Sequence, residues 1–169
     1  MAIYHLSIKV IGRSKGRSAV VTAAYRSGEK LLDHETGIVH DYTRKGGVIL
    51  SEILLPEYAP STYSDRETLW NAVHEKEKSK DAQLTREIEV ALPVELDRNE
   101  QIECVRDYIR ENFVNVGMCA DWALHDKGDG NPHAHILLTM REFKPDGTWD
   151  VNHQNAKFCL CFWRFYGKK

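Results

Sequence analysis

His125, His133 and His135 are the residues of this 169-residue chain whose type and spacing most plainly could do chemistry. Read at the period of a strand, residues 133–140 put His133, His135, Leu137 and Thr139 on one face and Ala134, Ile136, Leu138 and Met140 on the other. Residues 121–125 alternate the same way, with Asp121, Ala123 and His125 opposite Trp122 and Leu124. The run Asp129-Gly130-Asn131-Pro132 supplies turn chemistry between the two segments. The pattern predicts a hairpin with three imidazoles on its polar face. Neutral imidazoles converging from two strands make a metal site with open coordination positions, as a catalytic ion requires. A solvated, histidine-rich hairpin is the plainer alternative for the pair at 133 and 135. The third histidine, across a short loop and on the same face, favours the metal.

Other candidates surround that hairpin. Residues 85–92 read as a strand in which Glu87 and Glu89 share the polar face opposite Ile88, Val90 and Leu92. Tyr25 lies on a helix predicted to start at an Ser18 N-cap and to end at Gly28, stacked with Val21 at i, i+4. A tyrosine so placed is ordinarily a packing residue. Formal net charge is −2, but residues 1–48 hold 8 Lys and Arg against 4 Asp and Glu, whereas residues 49–120 hold 8 against 15. Lys9, Arg13, Lys15 and Arg17 fall in the basic third, where they could track a phosphate backbone or simply form a solvated loop.

The elements that must position these groups follow from pattern. Residues 3–11 alternate as a half-buried strand, with Tyr4, Leu6, Ile8 and Val10 opposite His5, Ser7 and Lys9. A small hairpin is predicted over residues 31–42 and a strand over 48–55. A Ser64-x-x-Glu67 capping box opens a second helix, and Asp97-x-x-Glu100 opens a third that Gly117 stops. The order predicts an α+β fold: a largely antiparallel sheet with helices on one face and a polar, metal-containing cleft on the other. Residues 1–148 read as one domain. Residues 149–169 form an atypical aromatic and basic tail that could pack on the sheet, stack on nucleobases or be the cut edge of a longer protein, the last being favoured. Four cysteines without CxxC spacing, no apolar leader and no long apolar run point to a reduced, cytoplasmic protein without membrane insertion.

Four blocks together resemble the MobA/MobL (MobQ) conjugative relaxases: the opening Met-Ala-Ile-Tyr-His-Leu, residues 16–25 (GRSAVVTAAY), residues 86–95 (REIEVALPVE), and His125 with Asn131-Pro-His-Ala-His135. The likeness covers residues 1 to about 141, and the tail departs from the pattern. It implies an HUH endonuclease sandwich that nicks one strand at a transfer origin and stays joined to its 5′ end. By that resemblance Tyr25 is the nucleophile, His125, His133 and His135 are metal ligands, and Glu87 rather than Glu89 is the principal carboxylate. Imidazole ligands by themselves suit Zn²⁺, Ni²⁺ or Mn²⁺, while the resemblance implies Mn²⁺ or Mg²⁺. The implied partners are single-stranded origin DNA with an adjacent hairpin, accessory mobilisation proteins and a coupling protein. Rival readings are an HUH replication initiator, a metal-dependent hydrolase that needs no tyrosine, and a DNA-binding module without catalysis.

Overall fold

The computed structural model describes residues 5–152. The expected orientation of Tyr4 and the aromatic residues 158–166 lie outside the described residues. In chain order the elements are β1 (Leu6–Gly12), a 3-10 turn (Arg13–Lys15), α1 (Ala19–Ser27), β2 (Lys30–Asp33), β3 (Ile38–Asp41), β4 (Val48–Leu54), α2 (Arg66–Lys76), β5 (Gln83–Ala91), α3 (Arg98–Asn112), β6 (Ala120–His125), β7 (His133–Thr139), β8 (Arg141–Phe143) and β9 (Trp149–Asn152).

Local chemistry sets most of the boundaries. Ser18 Oγ accepts the Val21 N–H at the start of α1, and Gly28 takes the left-handed conformation that ends it. The capping box of Asp97 and Glu100 is formed at α3. Two boundaries differ from expectation. Ser64 ends a short 3-10 turn, and Asp65 caps α2, accepting the N–H and hydroxyl of Thr68 at 2.8 and 2.7 Å. A carboxylate there meets the positive end of the helix, which a serine hydroxyl one residue earlier does not. α3 ends at Asn112, and Gly117 (φ 104°) closes a separate 3-10 turn, Val114–Val116.

The main sheet has the order β1-β5-β7-β6-β4, with every neighbouring pair antiparallel, and β2-β3 and β8-β9 form two separate hairpins. The α+β class and the antiparallel sheet therefore stand as expected. The helices, however, cover both faces. α3 brings Cys104, Val105, Tyr108 and Ile109 onto Ile88, Val90, Trp122, Leu124, Ile136 and Leu138. On the opposite face Ala19, Val20, Ala23 and Ala24 of α1 join Leu69, Trp70 and Val73 of α2 over Ile11 and Leu137. Each such large aliphatic side chain contributes roughly 1.5–3 kcal/mol by leaving water. The small residues of α1 let its backbone lie close to the strands, so the polar cleft occupies only the part of that face beyond its last turn. Leu84 joins this second cluster because a bulge, between the pairs Ile11–Thr85 and Gly12–Gln83, leaves it out of register. β1 is an edge strand, and its Ile8 and Val10 remain exposed. The hairpin of β8 and β9 was not foreseen; Trp149 stacks 4.2 Å from Phe143, so ordered structure crosses the boundary expected at residue 148. Among the described residues no helix is long and apolar enough to cross a membrane.

Asp121, which shares the face of the histidines, serves the scaffold. Its carboxylate accepts from Arg66 Nε and Nη2 and from Trp70 Nε1 at 2.8–3.0 Å, and both charged partners are buried. Replacing Asp121 with Ala leaves Arg66 its half-exposed partner Glu29 but removes its buried one, and takes the acceptor from the indole N–H. Urea denaturation should show a loss of about 3–5 kcal/mol; a loss below about 1 kcal/mol would put the pair in the class of exposed ion pairs.

Candidate functional site

Register brings the histidines together. His125 of β6 stands directly across from His133 of β7, and Ala123 pairs with His135, so the three rings project from adjacent strands on one face. Ring centroids are 4.7 Å apart for His125 and His135, 5.0 Å for His133 and His135, and 5.6 Å for His125 and His133. One ring nitrogen from each lies within 4.8 Å of the others.

The outer hydrogen bonds define the tautomers. His125 Nε2 is 2.7 Å from the Arg26 carbonyl and His133 Nδ1 is 2.8 Å from the Asn131 carbonyl; carbonyls only accept, so both nitrogens carry the proton. His135 Nδ1 donates to Glu87 Oε1 at 2.9 Å. The lone pairs left for a ligand are those of His125 Nδ1, His133 Nε2 and His135 Nε2. Burial pushes His125 down to about 4, only partly offset by the Arg26 carbonyl, and the neighbouring His135, Lys45 and His133 lower it further. Burial also lowers His135, against the pull of Glu87. Both rings are therefore neutral near pH 7, the form that binds metal. The donor set fits a divalent ion of borderline softness.

Glu87 reaches this centre from β5. Its carboxyl is buried, which by itself would raise its pKa, but the hydrogen bond from His135 and the charge of Arg26, whose Nε is 2.6 Å away, hold it at about 2. An ionised carboxylate engaged on both sides is suited to orienting His135 and poorly suited to taking a proton. Glu89 sits at the rim, 3.9 Å from His135 Nδ1 and 3.6 Å from Lys9 Nζ, and is a quarter exposed. Glu87 is thus the carboxylate hydrogen-bonded to His135, and Glu89 lies farther out.

The end of α1 closes over the histidines. A helix leaves its last carbonyls without internal donors. Here the Ala24 carbonyl takes the N–H groups of Gly28 and Glu29, Tyr25 O accepts from Lys45 Nζ at 2.7 Å, and Arg26 O accepts from His125. Tyr25 projects from this turn, 44% exposed, edge-on to Tyr42 and with Lys45 Nζ 4.2 Å from its ring centroid. It lines a cleft of about 530 Å³ with Lys45, Gly46, Gly47, Asp126 and Lys127, and Asp126 directly follows His125. Burial, with Arg26 and Lys127 nearby, lowers Lys45 to about 8.

The expected phosphate-tracking residues divide. Lys15 and Arg17 are exposed on the loop before α1, and Lys9 is half exposed on β1 beside Glu89. Arg13 is not available to that role: its guanidinium donates to the His74 and Glu77 carbonyls and to Glu35 at 2.6–2.7 Å, closing the C-terminal end of α2. Its loop sequence could not reveal that, because its partners lie 22 to 64 residues away. Arg26 and Lys45 were not anticipated. The signal available for Arg26 was its place after Tyr25 in the last turn of a helix, where a cation is favoured; for Lys45 it was the Gly46-Gly47 pair that follows.

The family model described as the MobA/MobL family matches residues 17–160. The mobilization protein MobL of Acidithiobacillus ferridurans is 43% identical over 88% of this chain and 45% of its own length. The probable mobilization protein MobA of Bifidobacterium longum is 40% identical over 95% of the chain and 29% of its own length, and the conjugal transfer protein TraA of Agrobacterium fabrum is 40% identical over 87% and 14%. The chain thus spans less than half the length of these relatives. A solved structure described as the molecular basis of vancomycin resistance transfer in Staphylococcus aureus superposes with a TM-score of 0.84 at 32% identity, covering 99% of this chain and 86% of that one.

The site makes a direct prediction for metal binding. His133→Ala removes one donor from a partly exposed ring, and His135→Ala removes another together with the partner of Glu87. Calorimetry with Mn²⁺ should show affinity falling by at least about tenfold in either variant, with His133→Ala leaving the circular dichroism spectrum unchanged. Unaltered affinity in both would remove the three-histidine assignment.

Proposed function

The chain belongs to the MobA/MobL family, and from that premise we propose that it is the strand-transfer domain of a conjugative mobilisation relaxase, nicking one DNA strand at a transfer origin. The observation that carries this reading is the cluster of three imidazoles, one of which, His125, bonds to the end of the helix that bears Tyr25. Its substrate is single-stranded origin DNA with an adjacent hairpin, and it works in the cytoplasm with accessory mobilisation proteins and a coupling protein. Relatives named for mobilisation and conjugal transfer favour this reading over a replication initiator.

In the proposed reaction Tyr25 Oη attacks the scissile phosphorus, forming a 5′-phosphotyrosine bond as the bond to the 3′ oxygen breaks. The departing oxygen takes a proton and becomes a free 3′ hydroxyl; the reverse attack by that hydroxyl religates the strand. The exposure of Tyr25 lets its phenolic proton pass to water. Lys45 and Lys127 bring positive charge to the cleft, favouring the incoming phosphate. Glu87 orients His135, burial keeps that ring neutral against the carboxylate's pull, and Arg26 holds Glu87 ionised. A divalent ion held by His125 Nδ1, His133 Nε2 and His135 Nε2 would supply Lewis-acid polarisation and charge neutralisation at the phosphate. Mn²⁺ satisfies both the nitrogen donors and phosphate oxygens; Mg²⁺ prefers oxygen donors, and Zn²⁺ or Ni²⁺ could also occupy the site.

Tyr25→Phe should fold and bind Mn²⁺ like the parent chain but give no protein-linked product on a denaturing gel with single-stranded origin DNA. Cleavage persisting in that variant would point to hydrolysis by bound water instead. For DNA binding, reversing the charges of Lys15 and Arg17 should weaken affinity across sequences and flatten the plot of log K against log salt by about 1.4, given a slope of roughly 0.7 per phosphate contact on a single strand. Arg13→Ala should instead lower the unfolding midpoint. An unchanged slope in the double reversal would mean that the loop before α1 does not meet the DNA.

A further inference from the structure

The outer hydrogen bonds of two of the three histidines lead to one residue, Arg26, directly for His125 and through Glu87 for His135. His125 Nε2 donates to the Arg26 carbonyl, while the Arg26 side chain ion-pairs with Glu87, which in turn holds His135. Arg26 is adjacent to Tyr25, and its carbonyl belongs to the last turn of α1. The remainder of the helix has little freedom, because Ala19, Val20, Ala23 and Ala24 are buried in the core and Ser27 Oγ bonds back to the Ala23 carbonyl. The last turn is held differently. It is attached through donors from other elements, His125 on β6 and Lys45 on the loop before β4, and through the reach of Arg26 to β5.

We propose that Arg26 is a positioning residue that couples occupancy of the three-histidine centre to placement of Tyr25. A ligand ion on His125 and His135 strengthens the polarity of their far N–H groups, and with it the bonds those groups make to the Arg26 carbonyl and to Glu87. A firmly held Glu87 fixes the guanidinium, and the carbonyl and guanidinium together fix the turn from which Tyr25 projects. Linkage makes the effect reciprocal: whatever orders the turn must raise affinity for the ion by the same factor. The consequence is a nucleophile placed when the centre is loaded and less restrained when it is not. That Tyr25 is the nucleophile rests on the proposed function; the coupling of ion and helix end does not.

The test therefore reads the helix end and the ion without using cleavage. The Gly28 and Glu29 amides, both bonded to the Ala24 carbonyl, report the last turn by hydrogen exchange. Mn²⁺ added to the intact chain should slow their exchange severalfold. In Arg26→Ala, and in Glu87→Gln, which removes the other end of the ion pair, that slowing should be lost or sharply reduced, with Mn²⁺ affinity about tenfold weaker by calorimetry. Arg26→Lys, which keeps a cation for Glu87, should recover part of both. Matched unfolding midpoints for Arg26→Lys and the parent chain separate the effect from loss of fold. Absence of Mn²⁺-dependent slowing in the parent chain, or equal slowing in Arg26→Ala, would overturn the coupling. A parent chain that shows the slowing but never yields a tyrosyl adduct supports the coupling and strikes only the reading of Tyr25.

Discussion

The structure depends on how the last turn of α1 satisfies its carbonyl groups. An exposed helix end would give them to water. Here they face the sheet, and the donors that meet them are His125 from β6 and Lys45 from the loop preceding β4. This single constraint sets the tautomer of His125, leaving its Nδ1 without the proton, and Tyr25 on the same turn lines a cleft with Asp126, the residue after His125. Were the helix one turn longer, it would cover the histidines; one turn shorter, and His125 would lose the acceptor that fixes its ring.

Around that contact the sheet supplies rigidity and the ion pairs supply orientation. The histidines come from β6 and β7 and Glu87 from β5, the three inner strands, whose opposite face is packed against α3. Charge on the polar face is used twice. Asp121, near the start of β6, anchors Arg66 and Trp70 of α2, while Glu87, two strands over on β5, holds His135. Both are buried carboxylates with an arginine partner. They differ in what else they touch, an indole N–H for Asp121 and an imidazole N–H for Glu87, and that difference separates scaffold from site.

Much of this was legible in the sequence because it depends on short-range pattern. Alternation placed the three histidines on one face, and the register of β6 and β7 agrees with it. Ser18, Gly28 and the Asp97–Glu100 box marked helix ends because capping is a local transaction. What escaped was long-range. The donors of Arg13 are spent on α2, the role of Arg26 needs a glutamate 61 residues later, and covering of both sheet faces depends on where α1 and α2 pack, which periodicity does not encode. Ser64 was mistaken for the cap of α2 because an S-x-x-E spacing and an Asp in the next position compete, and the full charge of Asp65 won.

The central claim is that the helix end and the histidine centre are one unit, and Mn²⁺-edge anomalous diffraction from crystals of the chain loaded with Mn²⁺ tests it most directly. The account predicts one anomalous peak about 2.2 Å from His125 Nδ1, His133 Nε2 and His135 Nε2, a ligand distance close to that of other imidazole-bound divalent ions, with the bond from His125 Nε2 to the Arg26 carbonyl intact. A peak bonded to His125 Nε2, with that ring turned away from the carbonyl, would contradict it.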